Sequence, residues 1–231
     1  MSDKYKAKMF VDQLLKWAHK NLRRFPWRNT KDPYKILIAE ILLQRTKAEQ
    51  VEPIFKQFIS KYPNIKSLNH ASANEIKATI FSLGLEKRAE GLKRMANQIV
   101  TEYKSRISND RDELLRLYGV GSYIANAILC HAYDEDALTV DANFARVLDR
   151  VFSLKLRRPA QKDKRVKDFA NKLLRLSSGQ CRILNLSIID LASQICTPRN
   201  PSCNICPLNK MCDHGLKVLR ELNLKKGESI G

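Results

Sequence analysis

Apolar residues recur at intervals of three and four in "FVDQLLKWAHKNL", "YKILIAEILL", "VEPIFKQFISKY", "RAEGLKRMANQIVTEY" and "LNLSIIDLASQIC". This is the period of helices buried along one face, and no segment shows the sustained alternation of a half-buried strand. The short run "ALTV" (137–140) is the one strand-like stretch, and it reads as a loop. The pattern predicts an all-α chain of roughly ten helices with short connections. Start signals agree with it. Asp32 precedes Pro33, a capping side chain ahead of a proline at the first helical position, and Ser72 with Glu75 spells a capping box. With 231 residues the chain has room for one domain or two small ones around a real core. No internal repeat or long linker marks a boundary, and "LKVLRELNLKKGESIG" reads as a helix with a loose tail.

Charge narrows the partners. The chain has 42 Lys and Arg against 24 Asp and Glu, a formal net charge of +18. The excess suits a polyanion and gathers in runs such as "KLRRPAQKDKRVK" (155–167), although a solvated basic face explains any single run equally well. No strongly amphipathic basic helix points to lipid, so nucleic acid leads. There is no apolar stretch long enough to span a membrane and no apolar core of a secretory signal near the N-terminus. An intracellular, cytoplasmic location is expected. In that reducing setting, six cysteines read as metal ligands or packing residues rather than disulfides.

Four of them, Cys196, Cys203, Cys206 and Cys212, fall in "CTPRNPSCNICPLNKMC" with the spacing C-x6-C-x2-C-x5-C. The loop has too little apolar material to hold itself by packing, so a metal centre is the economical explanation. Zinc and an iron–sulfur cluster both accept four thiolates. Only one Cys-x-x-Cys knuckle is present, where zinc ribbons usually show two, which places iron–sulfur ahead. Cys130 and Cys181 lie in apolar helical surroundings and are expected in the core.

Three further places carry chemistry. In "YGVGSYIANA" (118–127), Gly119 and Gly121 make a tight turn, and the helix that follows would present its free N–H groups, a ready phosphate site. An ordinary helix–turn–helix corner fits the same letters. Asp141 stands at the start of "ANFARVLDR", where it reads as a helix N-cap, and the helix dipole there favours a charged carboxylate. Glu40 interrupts the apolar run "ILIAEILL"; on a helix its neighbours are Ile36, Leu37, Leu43 and Gln44. Desolvation on that face is expected to raise its pKa toward that of a general acid, unless a lysine or arginine pairs with it.

Taken together, the cysteine spacing, the Gly-Val-Gly turn and "VDANFARVLDR" resemble the endonuclease III branch of the helix-hairpin-helix DNA glycosylases. The resemblance runs from about "FPWRNTKDPYKILIAEILLQRT" to Cys212. It implies a two-lobed fold, with a six-helix barrel over about 30–135 and a second lobe formed by 1–29 and 136–231. It also implies a [4Fe-4S] cluster on Cys196, Cys203, Cys206 and Cys212, with Arg199 offered to the DNA backbone. The hairpin of Gly119, Gly121 and Ser122 would grip a strand through backbone amides; Tyr118 departs from the family pattern, which usually has proline. Gln44 and Leu85 match the residues pushed into the duplex when a base is flipped out. Their bland readings are a helix surface residue and a core residue after a glycine cap.

The resemblance places the family's catalytic aspartate on Asp141 and a matching glutamate of the MutY-type and MIG-type enzymes on Glu40. Two carboxylates of this kind suit glycosidic chemistry. Tyr123 occupies the place of the lysine that forms a Schiff base in bifunctional members, and tyrosine cannot form one. Unless Tyr123 only packs at the hairpin, the expectation is a monofunctional enzyme of the MIG type, acting as a monomer on double-stranded DNA. Its substrate would be thymine or uracil mispaired with guanine. The rivals are MutY-type removal of adenine, endonuclease III-like removal of oxidised pyrimidines, and a catalytically silent or redox-responsive iron–sulfur DNA-binding protein. MutY-type proteins usually carry a further C-terminal domain, and this chain runs only nineteen residues past Cys212.

Overall fold

The structure, a computed structural model, describes residues 2–84, 87–157 and 159–228. Among the described residues the backbone forms twelve α-helices and no strand, and residues 137–140 form a loop. The surplus over the periodicity count comes from short helices. Ile65–His70 and Arg111–Arg116 have six residues each, too few turns for an apolar spacing to repeat.

The chain divides into two compact units, Met1–Arg23 with Leu138–Gly231, and Arg24–Ala137. Helix α1 (Asp3–Asn21) belongs to the first unit. The second holds α2 (Pro33–Leu43), α3 (Ala48–Lys61), α4 (Ile65–His70), α5 (Ala73–Ile80), α6 (Arg88–Glu102), α7 (Arg111–Arg116) and α8 (Ser122–Ala132). The first unit is completed by α9 (Ala142–Phe152), α10 (Lys164–Leu176), α11 (Cys181–Gln194) and α12 (Asp213–Glu228).

In the second unit α2 is the buried centre. It is apolar almost all round, and Tyr34, Ile36, Leu37, Ile38, Ala39, Ile41 and Leu42 are buried, as a helix covered on every side requires. Helices α3 and α8 pack on it, and α4 and α5 pack on α6. Asp32 accepts the Tyr34 N–H at 2.9 Å with Pro33 behind it, which sets where α2 begins. The Tyr34 hydroxyl donates to the Tyr62 carbonyl at 2.7 Å, and burial pushes its pKa up. The predicted box at α5 is formed: Ser72 Oγ accepts the Glu75 N–H, and the Glu75 carboxylate accepts the Ser72 N–H. Those bonds hold the Glu75 carboxyl below its ordinary range.

In the first unit α1 turns Ala7, Phe10, Val11, Leu14 and Ala18 inward against α10 and α11. Helix α9 buries Phe144, Ala145, Val147, Leu148 and Val151 against α11 and α12. Asp190, fully buried on α11, accepts from the Arg23 backbone N–H and from its Nε, both at 2.8 Å, so the buried charge is met. Cys181 is buried here, as Cys130 is in the other unit.

Candidate active site and cysteine loop

Asp141 caps α9. Its Oδ1 accepts the Phe144 N–H at 2.7 Å and its Oδ2 accepts Asn143 Nδ2 at 2.8 Å, while the side chain stays half-buried. The segment before it is anchored by α11: the N–H and hydroxyl of buried Thr139 both donate to Asn185 Oδ1, at 2.9 and 3.0 Å. The carboxylate is therefore pinned from both sides in sequence and still reachable.

From Asp141 a polar relay runs to the cysteine loop inside the same unit. Asn143 Oδ1 accepts Arg146 Nη1 at 2.8 Å, and Arg146 donates through Nε to the Cys196 carbonyl and through Nη2 to the Ala192 carbonyl, both at 3.1 Å. One turn on, Arg150 donates to the Thr197 and Pro198 carbonyls at 2.7 Å each and to Cys196 Sγ at 3.3 Å. Arg146 thus satisfies a carbonyl of the last turn of α11, which has no intrahelical partner, and both arginines bind carbonyls of the loop that follows.

All four loop cysteines line one pocket, together with Arg150 and His214. Burial pushes the Cys206 thiol up to about 12 and also raises Cys203 and Cys212. As free thiols they stay protonated, so thiolates here require compensating metal charge. Among the described residues no group of three or more His, Cys, Asp or Glu side chains is gathered closely enough to hold a single metal ion. Two N–H donors already face sulfur: Arg150 toward Cys196, and Gly215 toward Cys212 at 3.3 Å. A Cβ on Gly215 would stand 3.3 Å from Cys212 Cβ, so glycine lets the start of α12 come close. Four sulfurs and N–H donors, with no carboxylate among the lining residues, fit an iron–sulfur cluster. Arg199 is exposed on the same loop.

In the other unit Glu40 is half-buried on α2, beside the buried Ile36 and Leu37. Gln44 caps the end of α2 with its side chain exposed, and Arg45 follows in the left-handed region at φ 60°. Of the basic residues clustered here, Arg88 is engaged within the fold: its guanidinium donates to the Ile41 carbonyl at 2.8 Å and to that of Gln44. Arg88→Met is expected to lower stability to urea by about 2 kcal/mol, the cost of charged bonds to helix-end carbonyls. Lys87→Met, at an exposed neighbour, should shift it by less than about 0.5 kcal/mol. Leu85 lies outside the described residues.

At the hairpin the Val120 N–H bonds to the Leu117 carbonyl at 3.1 Å, and Gly119 turns the chain at φ 78°. Only Gly119 needs a glycine's backbone. Gly121, the N-cap of α8, is extended at φ −98°, and a Cβ there would meet nothing in the protein itself. No side chain caps α8, and Gly119, Gly121 and Ser122 are exposed. Tyr123 is half-buried and packs against the core of its unit.

Sequence reasoning missed Asn143, Arg146, Arg150, Asn185 and Gly215. The two arginines did leave a signal, since they stand four apart in "VDANFARVLDR" on the helix that Asp141 caps.

Residues 38–176 match the HhH-GPD superfamily of base excision DNA repair proteins, and residues 196–212 match the iron-sulfur binding domain of endonuclease III. The chain belongs to the HhH-GPD superfamily. It is 38% identical over 210 residues to the thymine/uracil-DNA glycosylase of Methanothermobacter thermautotrophicus, covering 90% of this chain and 94% of that one. The solved structure of a thermostable thymine-DNA glycosylase superposes with a TM-score of 0.84 at 36% identity, covering 94% of this chain and all of the other. The adenine DNA glycosylase of Buchnera aphidicola subsp. Schizaphis graminum is 33% identical over 207 residues, which span 59% of its length. As an HhH-GPD protein of this branch, the chain is a DNA-binding glycosylase with a [4Fe-4S] cluster in its cysteine loop. No helix among the described residues is long and apolar enough to cross a membrane.

Proposed function

We propose that this HhH-GPD protein is a monofunctional glycosylase that removes thymine or uracil mispaired with guanine from double-stranded DNA, acting as a monomer in the cytoplasm on nucleoid DNA. The observation that carries the reading is a capped, half-buried and reachable carboxylate at Asp141 combined with a tyrosine, not a lysine, at position 123. As the N-glycosidic bond breaks, the sugar gains oxocarbenium character, and the Asp141 carboxylate stabilises that charge. Glu40 delivers a proton to the departing base or orients the water that attacks C1′. Base and an intact abasic strand are the products. Tyr123 has no amine to form the Schiff base that leads to strand cleavage.

The remaining DNA contacts are assigned from exposure at Gly119, Gly121, Ser122, Arg199 and Gln44, and from the family resemblance alone at Leu85. Gly119, Gly121 and Ser122 offer amides to a phosphate, Arg199 offers a cation, and Gln44 with Leu85 fills the gap left by the flipped base. Cys196, Cys203, Cys206 and Cys212 are assigned as the cluster ligands. The choice of base rests on the chain's match along 94% of a thymine/uracil-DNA glycosylase. Adenine removal is the second reading, favoured by the match to an adenine DNA glycosylase.

A single-turnover assay on duplexes with G·T, G·U, A·G, A·8-oxoguanine or thymine glycol pairs, each read with and without hot alkali, separates these. Breaks at G·T or G·U only after alkali are expected. Adenine release would move the protein to the second reading, and breaks without alkali would show a lyase that Tyr123 does not explain.

A further inference from the structure

Tyr118, which leads into the hairpin, is 45% exposed, yet three residues hold it. Its backbone N–H donates to Gln98 Oε1 at 2.9 Å. The Gln98 amide nitrogen donates in turn to the Arg116 carbonyl at 3.2 Å. The network dictates which way this amide points, since one partner only donates and the other only accepts. The Arg94 guanidinium lies over the ring, 4.5 Å from its centroid. Gly91 stands close beside the ring: a Cβ there would come within 3.0 Å of Tyr118 Cε1. Residues of α6 and the end of α7 with Tyr118 also line a cavity of about 300 Å³, so the ring is not there to fill a core.

What these contacts immobilise is the backbone immediately ahead of Gly119. A turn with glycines at 119 and 121 has unusual backbone freedom, and that freedom must be lost before its amides can hold a phosphate. We propose that Gln98 is a positioning residue for DNA binding: by bonding both flanks of Leu117 it fixes the hairpin in its binding shape, with the Tyr118 ring clamped by Arg94 as the second anchor. This rests on the reading that the hairpin amides grip DNA.

Proline supplies the decisive comparison. It fixes φ by itself and has no N–H to satisfy. Leu117, at ψ 136°, already has the extended backbone that a following proline demands. In the full-length, cluster-loaded protein, Gln98→Met removes the bonds to both flanks of Leu117. It is expected to weaken duplex binding about five-fold or more, since each such bond is worth about that factor. The single-turnover rate at saturating DNA should be unchanged. Adding Tyr118→Pro to that variant should restore affinity, because a stiff turn no longer needs the acceptor. Gln98→Glu keeps the acceptor for the Tyr118 N–H but turns a carboxylate oxygen toward the Arg116 carbonyl and the Glu102 carboxylate that the amide nitrogen now serves, so it too should bind more weakly than the parent. The unchanged rate at saturating DNA is the check that loss of folding is not being read. An unaltered affinity in Gln98→Met, or a double variant no better than the single, overturns the proposal. Gly119→Ala, strained at φ 78°, tests the underlying reading. If it binds DNA normally, the hairpin does not grip DNA and both ideas fall; if it binds poorly while Gln98→Met does not, the Gln98 proposal alone fails.

Discussion

Asp141→Asn is expected to lower base release about a thousand-fold or more while DNA affinity and fold persist. Asparagine is as good an N-cap as aspartate, so its Oδ1 can still accept the Phe144 N–H now bonded at 2.7 Å. The loss on the other side is small. Asn143 Nδ2 donates to Asp141 Oδ2, and an amide nitrogen in that place repels the donor, costing about 1 kcal/mol. The reaction loses far more, because a neutral amide cannot stabilise a cationic sugar. Single-turnover rates with binding titrations on the same mismatched duplex read both quantities. A variant that still releases base within ten-fold of the parent rate removes Asp141 from catalysis. One that stops binding DNA shows instead that the carboxylate acts through the fold.

The second large effect is expected at the cluster. Cys206→Ser replaces a thiol that only metal charge can ionise, since burial, with the neighbouring cysteines, holds it at about 12, with a hydroxyl that cannot replace it as a soft ligand. Iron content and visible absorbance should fall, and the loop 196–212 should become open to protease. Base release should fall with them, because Arg146 and Arg150 bind carbonyls of that loop or the helix end before it. Without those acceptors Arg150, on the helix that Asp141 caps, loses the loop carbonyls it binds, and Arg146 keeps only Asn143 and Ala192. Cys181→Ala is the matched control: buried away from the loop, it should cost about 1 kcal/mol of packing and leave iron in place. Full iron retention in Cys206→Ser would take that residue off the ligand set.

Much of this was legible because it is local. The caps at Asp32, Ser72 and Asp141 each bond to an N–H two or three residues on, so a few letters carry them. The helices that escaped the periodicity count, α4 and α7, are six residues long and are announced by their caps, Asn64 and Asp110, rather than by an apolar face. Charge was legible only in sum. The run 155–167 reads as a basic patch, yet Arg165 binds Asp163 and the Leu154 carbonyl, and Arg88 binds carbonyls at the end of α2.

The sequence by itself determined the helical class, the helix starts, the cysteine spacing and the chemistry open to Asp141 and closed to Tyr123. Those depend on residue type and on neighbours within a turn or two. Only the tertiary structure decided that Asn185 anchors Thr139 and that Arg150 faces Cys196, each across 46 residues of chain, and that Gln98 holds Tyr118 from 20 residues away. Such pairings leave no periodic trace in a sequence, because a hydrogen bond needs two groups to meet in space and sets no rule for the letters between them.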